Sequence, residues 1–135
     1  MEHLKTLDGL NGVTDIGGGL HVFWNPELET LQGLSSLESV AMGESPQYDM
    51  HLHANRKLET LNGLQSLEEV GMALVIDDHA NLRSIEALES LREVRYLKIA
   101  DNPKLPTCQA EALAERLELP DDKVEIRGNG TGSCD

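Results

Sequence analysis

The side chains able to do chemistry in this 135-residue chain fall into a few small sets. His21, His51 and His53 carry imidazoles, the usual nitrogen ligands of transition-metal ions, with Asp77 as a carboxylate companion. Asp77, Asp78 and Asp101 are the kind of carboxylates that hold Ca²⁺, but no DxDxDG loop spaces them for it, which favours a solvated acidic face. Phe23, Trp24 and Tyr48 are three of only four Phe, Trp and Tyr rings in the chain, and aromatic rings are what anchor interfaces. Cys108 and Cys134 lie 26 residues apart without CxxC spacing, so they read either as one disulfide or as two buried thiols. Catalytic signatures are missing: there is no GxSxG, HExxH or P-loop, the Gly17-Gly18-Gly19 run opens no helix that would cradle a phosphate, and neither Cys has a nucleophile's surroundings. The chemistry on offer is that of a binding protein, not an enzyme.

What must position these residues is an internal repeat. Leu4, Leu28, Leu58, Leu82 and Leu105 each open an LxxL run, at intervals of 24, 30, 24 and 23 residues. The runs LKTLDGLNGV, LETLQGLSSLESV, LETLNGLQSLEEV and LRSIEALESLREV place an apolar residue at every third position. A step of three is neither the strand period of two nor the helical 3.6, and it predicts short 3₁₀-like turns that show one side to the interior. Each run is followed by a brief alternation: Leu20-His21-Val22, Met50-His51-Leu52, Leu74-Val75-Ile76, Leu97-Lys98-Ile99 and, near the end, Val124-Glu125-Ile126. These predict short strands whose outer two side chains are buried and whose middle one is exposed.

Three residues beyond the second buried strand position stand Asn25, Asn55, His79, Asn102 and Asn129. An amide at a fixed place in every repeat can satisfy backbone groups at a bend, and His79 is expected to make its own turn less regular. Asn129 therefore reads as a rung of this series, although Asn129-Gly130-Thr131 also fits a glycosylation sequon. Stacking the units predicts a mainly-β repeat solenoid, a right-handed β-helix of leucine-rich-repeat type with about five short parallel strands. It would occupy 1–104, with units starting at 4, 28, 58 and 82, and a C-terminal cap would fill 105–135. The long unit carries an insertion at 41–49, a loop suited to function. In the cap, Ala110, Leu113, Ala114 and Leu117 predict an amphipathic helix over 108–119, capped by Thr107 and ended by Pro120. Cys108 at its start and Cys134 after the last strand can meet across the cap, and a loop of this size gains about 3 to 4 kcal/mol from cross-linking.

The formal charge of −13 opposes nucleic acid and anionic membrane surfaces as partners. No apolar run reaches the length of a spanning helix. Because Leu4 starts the return half of a unit with no strand before it, the chain is expected to be part of a longer one whose signal peptide and upstream repeats precede it.

The pattern LxIxxNxxLxxLxxLxxL, as in Leu20-His21-Val22-Phe23-Trp24-Asn25-Pro26-Glu27-Leu28, resembles the receptor L-domain of growth-factor and insulin receptor ectodomains. The end piece NPKLPTCQAEALAERL with VEIRGNGTGSC is similar to the C-terminal ends of receptor-L-like repeat proteins that deltaproteobacteria secrete, often as lipoproteins. The resemblance implies an extracellular or cell-surface location, which suits a disulfide, and says little of the ligand.

Aligning the repeats lays three rows of side chains across the strand face: His21, His51, Val75, Lys98, Glu125; then Phe23, His53, Asp77, Ala100, Arg127; then Trp24, Ala54, Asp78, Asp101, Gly128. The first reading is a module that binds a protein or glycan through this face and the 41–49 loop, with Phe23, Trp24, Tyr48, His51, His53, Asp77, Asp78 and Asp101 as contact residues. A second is a metal-binding surface protein using His21, His51 and His53, and a third a structural spacer of a larger envelope protein. Against the metal, histidines on a flat exposed sheet are ordinarily solvated and nothing in the sequence orients their second nitrogens, so no cofactor is expected.

Overall fold

The computed structural model describes residues 4–40, 49–132 and 134. In chain order the strands are β1 (Asp15–Ile16), β2 (Leu20–Phe23), β3 (Ser39–Val40), β4 (Asp49–His53), β5 (Glu69–Val70), β6 (Ala73–Asp77) and β7 (Tyr96–Ala100). The helix α1 (Thr107–Arg116) and strand β8 (Val124–Arg127) complete the chain.

The three-residue step has a direct cause in the backbone. Within the runs, Leu34 N–H donates to the Leu31 carbonyl and Leu37 N–H to Leu34 (2.8 and 2.9 Å), Leu64 donates to Leu61 and Leu67 to Leu64 (both 3.1 Å), and Leu88 donates to Ile85 (3.0 Å). Successive i→i−3 bonds return the side chain to one side every third residue. That side is the core: Leu28, Leu31, Leu34, Leu37, Leu58, Leu61, Leu64, Leu67, Leu82 and Leu91 are fully buried. Leu20 packs against this core beside β2's buried Val22, and the strands supply Met50, Leu52, Leu74, Ile76, Leu97 and Ile99 from the opposite side.

Pairing is parallel throughout and corrects the expected fold class. In place of a β-helix solenoid with one row of strands, the described residues form two parallel sheets, neither closed: β1-β3-β5 with three strands and β2-β4-β6-β7-β8 with five. With α1 this is an α/β arrangement. The second sheet arises where the LxxL runs end. There Glu68 N–H donates to the Glu38 carbonyl (2.8 Å) and Gly71 N–H to Val40 (2.8 Å), so Ser39–Val40 and Glu69–Val70 leave the turn pattern and extend against each other. Two residues are too few to show an alternation, which is why this sheet left no signal in the sequence.

One local expectation also changes. Thr107 does not cap α1: both its N–H (3.0 Å) and its hydroxyl (2.8 Å) donate to the Gly130 carbonyl, tying the helix start to the chain after β8. His79 takes over the side-chain bonds of the ladder, as shown below. The turn bond that Leu28, Leu58 and Leu105 N–H make to the Asn25, Asn55 and Asn102 carbonyls (3.2, 3.1 and 3.0 Å) has no counterpart from Leu82 to His79 among the described residues. Its turn is thus less regular, as expected, while the ladder is not broken. Cys108 and Cys134 form a disulfide with Cα atoms 6.2 Å apart. Tyr48 and the rest of 41–48 lie outside the described residues.

Candidate functional site

The register of the five-stranded sheet aligns the rows read from the sequence. His21 pairs with His51, His51 with Val75, Val75 with Lys98 and Lys98 with Glu125. One step on, Phe23 pairs with His53, His53 with Asp77, Asp77 with Ala100 and Ala100 with Arg127. Because alternate strand residues share a face, β2 and β4 bring His21, Phe23, His51 and His53 together.

Their rings pack on one another. His21 stacks on Phe23 with centroids 5.1 Å apart, and Phe23 meets His51 (4.7 Å) and His53 (5.6 Å) edge to face. Trp24 meets His53 in the same way at 4.8 Å. Edge-to-face packing at these distances is the favoured geometry for rings and holds each imidazole in one orientation.

Asp77 completes the cluster from β6. Its Oδ1 accepts hydrogen bonds from His51 Nε2 (2.9 Å) and His53 Nδ1 (2.8 Å). Burial works to raise its pKa, but the bonds from His53 and His51 and their charge outweigh it, and the carboxyl is held below its ordinary value. One ligand atom from each of His51, His53 and Asp77 lies within 4.8 Å of the other two. This is the group among the described residues able to hold a metal ion, and it takes Asp77 where the sequence suggested His21.

The strand exits form the third row. Trp24, Ala54, Asp78, Asp101 and Gly128 all have left-handed backbones, with φ of 55°, 58°, 64°, 57° and 68°. The sheet bonds run on through them: Trp24 N–H donates to His53 (3.0 Å), Ala54 to Asp77 (3.2 Å), Asp78 to Ala100 (3.1 Å) and Asp101 to Arg127 (2.9 Å). Gly128 adopts this conformation freely, and Asp tolerates it. Trp24 is the bulkiest residue in the row and is 64% exposed, while Phe23 beside it is 36% exposed.

Behind the exits runs the polar ladder. Asn55 Nδ2 donates to the Val22 carbonyl (2.9 Å), Asn102 Nδ2 to Ile76 (3.2 Å) and Asn129 Nδ2 to Ile99 (2.8 Å). The matching side-chain oxygens accept from the backbone N–H of the previous rung: Asn25 donates to Asn55, His79 to Asn102 and Asn102 to Asn129 (3.1, 3.1 and 3.2 Å). His79 performs both tasks with its ring. Nε2–H donates to the Leu52 carbonyl (2.8 Å) and Nδ1 accepts from Asn55 N–H (3.3 Å), so one neutral tautomer copies the amide. Burial is the main reason its pKa lies below the ordinary imidazole value.

The acidic residues singled out in the sequence do not converge. Asp77 serves the two imidazoles, Asp78 is exposed, and Asp101 pairs with Arg127 at 3.1 Å. Arg127 also holds Glu125 (2.9 Å), which lies 3.6 Å from Lys98, so the far end of the face is a charge network. The face is thus aromatic and imidazole-rich at β2 and β4 and ionic at β7 and β8.

No protein-family model, curated protein or solved structure matches this chain. Function has to be argued from the face itself. Among the described residues, no helix is long and apolar enough to cross a membrane.

Proposed function

We propose that this chain is a non-enzymatic interaction module of an extracellular or cell-surface protein, and that it captures a protein partner on the aromatic end of its strand face. Trp24 carries the reading. A non-glycine residue in left-handed backbone costs about 1–2 kcal/mol, and with 64% of its surface exposed Trp24 returns little of that to the core. Glycine holds the same place without strain in the last repeat. A bulky ring kept at a strained, exposed position fits a contact that only a partner completes, as Trp does at interface centres. Phe23 and the imidazoles around it extend the patch. The disulfide supports an oxidising location. The net charge of −13 supports a partner that is not a polyanion.

The test separates contact from folding. Trp24→Gly deletes the ring and relieves the backbone, so its stability should stay within about 1 kcal/mol of wild type, strain relief offsetting the lost ring contact. Affinity capture from a cell-surface fraction should recover a saturable partner with wild type and lose it with Trp24→Gly and Phe23→Ala. Addition of the purified partner should also shift the emission of Trp24, the chain's one tryptophan. Equal capture by Trp24→Gly would refute the reading. So would unfolding of that variant, because the ring would then be packing and not contact.

A further inference from the structure

We propose that His51, His53 and Asp77 form a binding site for a late first-row divalent metal ion, Zn²⁺ first among them. The inference stands on a different observation from the partner patch, since it concerns three ligand atoms and does not require Trp24 to meet a partner. His51 and His53 sit at i and i+2 of β4 and so share a face, and Asp77 lies directly opposite His53 on β6. Backbone pairing therefore sets the spacing of the three.

That spacing suits an ion. His51 Nε2 and His53 Nδ1 are 2.9 and 2.8 Å from Asp77 Oδ1, and one ligand atom from each of the three residues lies within 4.8 Å of the other two. Neighbouring ligands around an ion with bonds of roughly 2.1 Å are themselves separated by about 3 to 3.4 Å, depending on octahedral or tetrahedral geometry. Small side-chain rotations would convert one arrangement into the other.

The donor set selects the metal. Two imidazole nitrogens and one carboxylate oxygen suit zinc, cobalt, nickel or ferrous iron, while Ca²⁺ and Mg²⁺ call for oxygen alone. Three protein ligands leave one or more positions for water or an incoming group. The rings are also oriented in advance. Phe23 packs edge-on against both imidazoles and Trp24 against His53, which supplies by packing the fixation that a second hydrogen bond gives in most histidine sites. On binding, each N–H···O bond to Asp77 would give way to a nitrogen lone pair on the metal, the displaced proton leaving to solvent or to the other ring nitrogen. Side-chain exposures of 24%, 21% and 17% for His51, His53 and Asp77 leave the ion a path from solvent while removing most competing water.

The experiment uses untagged protein stripped with EDTA and dialysed, titrated with Zn²⁺ by calorimetry and with Co²⁺ by its visible absorption. Wild type should bind one ion per chain. Loss of even an outer-shell group at a metal site typically costs 10- to 100-fold in affinity, so Asp77→Asn and His53→Ala should each weaken binding by about 100-fold or more. His21→Ala should stay within about threefold of wild type, because His21 adds no ligand atom to the cluster. Melting in EDTA verifies that each variant is folded, with His51→Gln as a replacement should His53→Ala not be. The inference is overturned by the absence of saturable binding in wild type. It is equally overturned by binding that survives Asp77→Asn in folded protein, or by a loss on His21→Ala as large as on His53→Ala, which would describe a diffuse histidine surface.

Discussion

His79 ties stability to pH through a single buried ring. In the folded chain Nδ1 must keep a lone pair for Asn55 N–H while Nε2–H serves the Leu52 carbonyl, and the residue is fully buried. A proton on Nδ1 would set a donor against a donor and place charge in the interior. In the unfolded chain the same ring titrates near its ordinary pKa of about 6.5. As pH falls through that value the unfolded state takes up a proton that the folded state refuses, so stability falls with pH. While the folded ring stays neutral the slope approaches 1.4 kcal/mol per pH unit, and integrating from pH 7.5 to 5.0 gives a loss of about 2 kcal/mol. His79→Asn should restore a non-titrating rung with the same two bonds. Urea unfolding in EDTA, at intervals between pH 7.5 and 5.0, should find the variant within about 1 kcal/mol of wild type at pH 7.5 and ahead of it by roughly 2 kcal/mol more at pH 5.0. The subtraction removes the carboxylates, which titrate alike in both chains. Parallel pH profiles for the two proteins would refute the argument.

Three further outcomes can be measured on the same apparatus. Leu64→Asp places a carboxylate in a site with no exposure among leucines, and should leave the chain unfolded by circular dichroism at 25 °C. Gly63→Ala should cost at least about 3 kcal/mol, since φ is +118° and an added Cβ would overlap the Leu31 carbonyl carbon and oxygen; a loss below 1 kcal/mol would show that the two repeats can part there. Reduction of Cys108–Cys134 should lower stability by about 3 to 4 kcal/mol, read as a fall in the urea midpoint on adding reductant; an unchanged midpoint would mean that the cap is held by Thr107, Gly130 and the helix packing alone.

Much of the candidate site was legible because repeats convert sequence spacing into spatial register. Once the alternating triplets were aligned, the neighbours His21–His51 and Phe23–His53 followed, and the strand pairs have that register. Asp77 stood in the sequence as a carboxylate companion of the histidines, but its grouping with His51 and His53 without His21 depends on which side chains lean together on the face and not on which rows they occupy. The left-handed exits were equally hidden: Gly128 signals such a backbone and Asp78 and Asp101 permit it, but Trp24 and Ala54 argue against it, and only the repeat's hydrogen bonds impose it. The fold class was misjudged for a related reason. Ser39–Val40 and Glu69–Val70 read as the tails of LxxL runs, and their extension into a second sheet depends on contacts 30 residues away. That His79 keeps the ladder was hidden because a ring does not look like an amide, yet its two nitrogens present one donor and one acceptor as an amide does; the less regular turn that the sequence did signal shows in the missing bond from Leu82 N–H to its carbonyl.

The row of strand exits also limits how this surface can change. Each non-glycine residue there draws on a folding stability that for most proteins totals only about 5–15 kcal/mol, and Trp24, Ala54, Asp78 and Asp101 already draw on it at four places. A chain diversifying this face would do so more cheaply at a strand position such as Val75, where the backbone is ordinary extended strand, than at the exits. A large side chain at an exit is therefore more telling than one on a strand, and Trp24 is where a change in the proposed contact would first show.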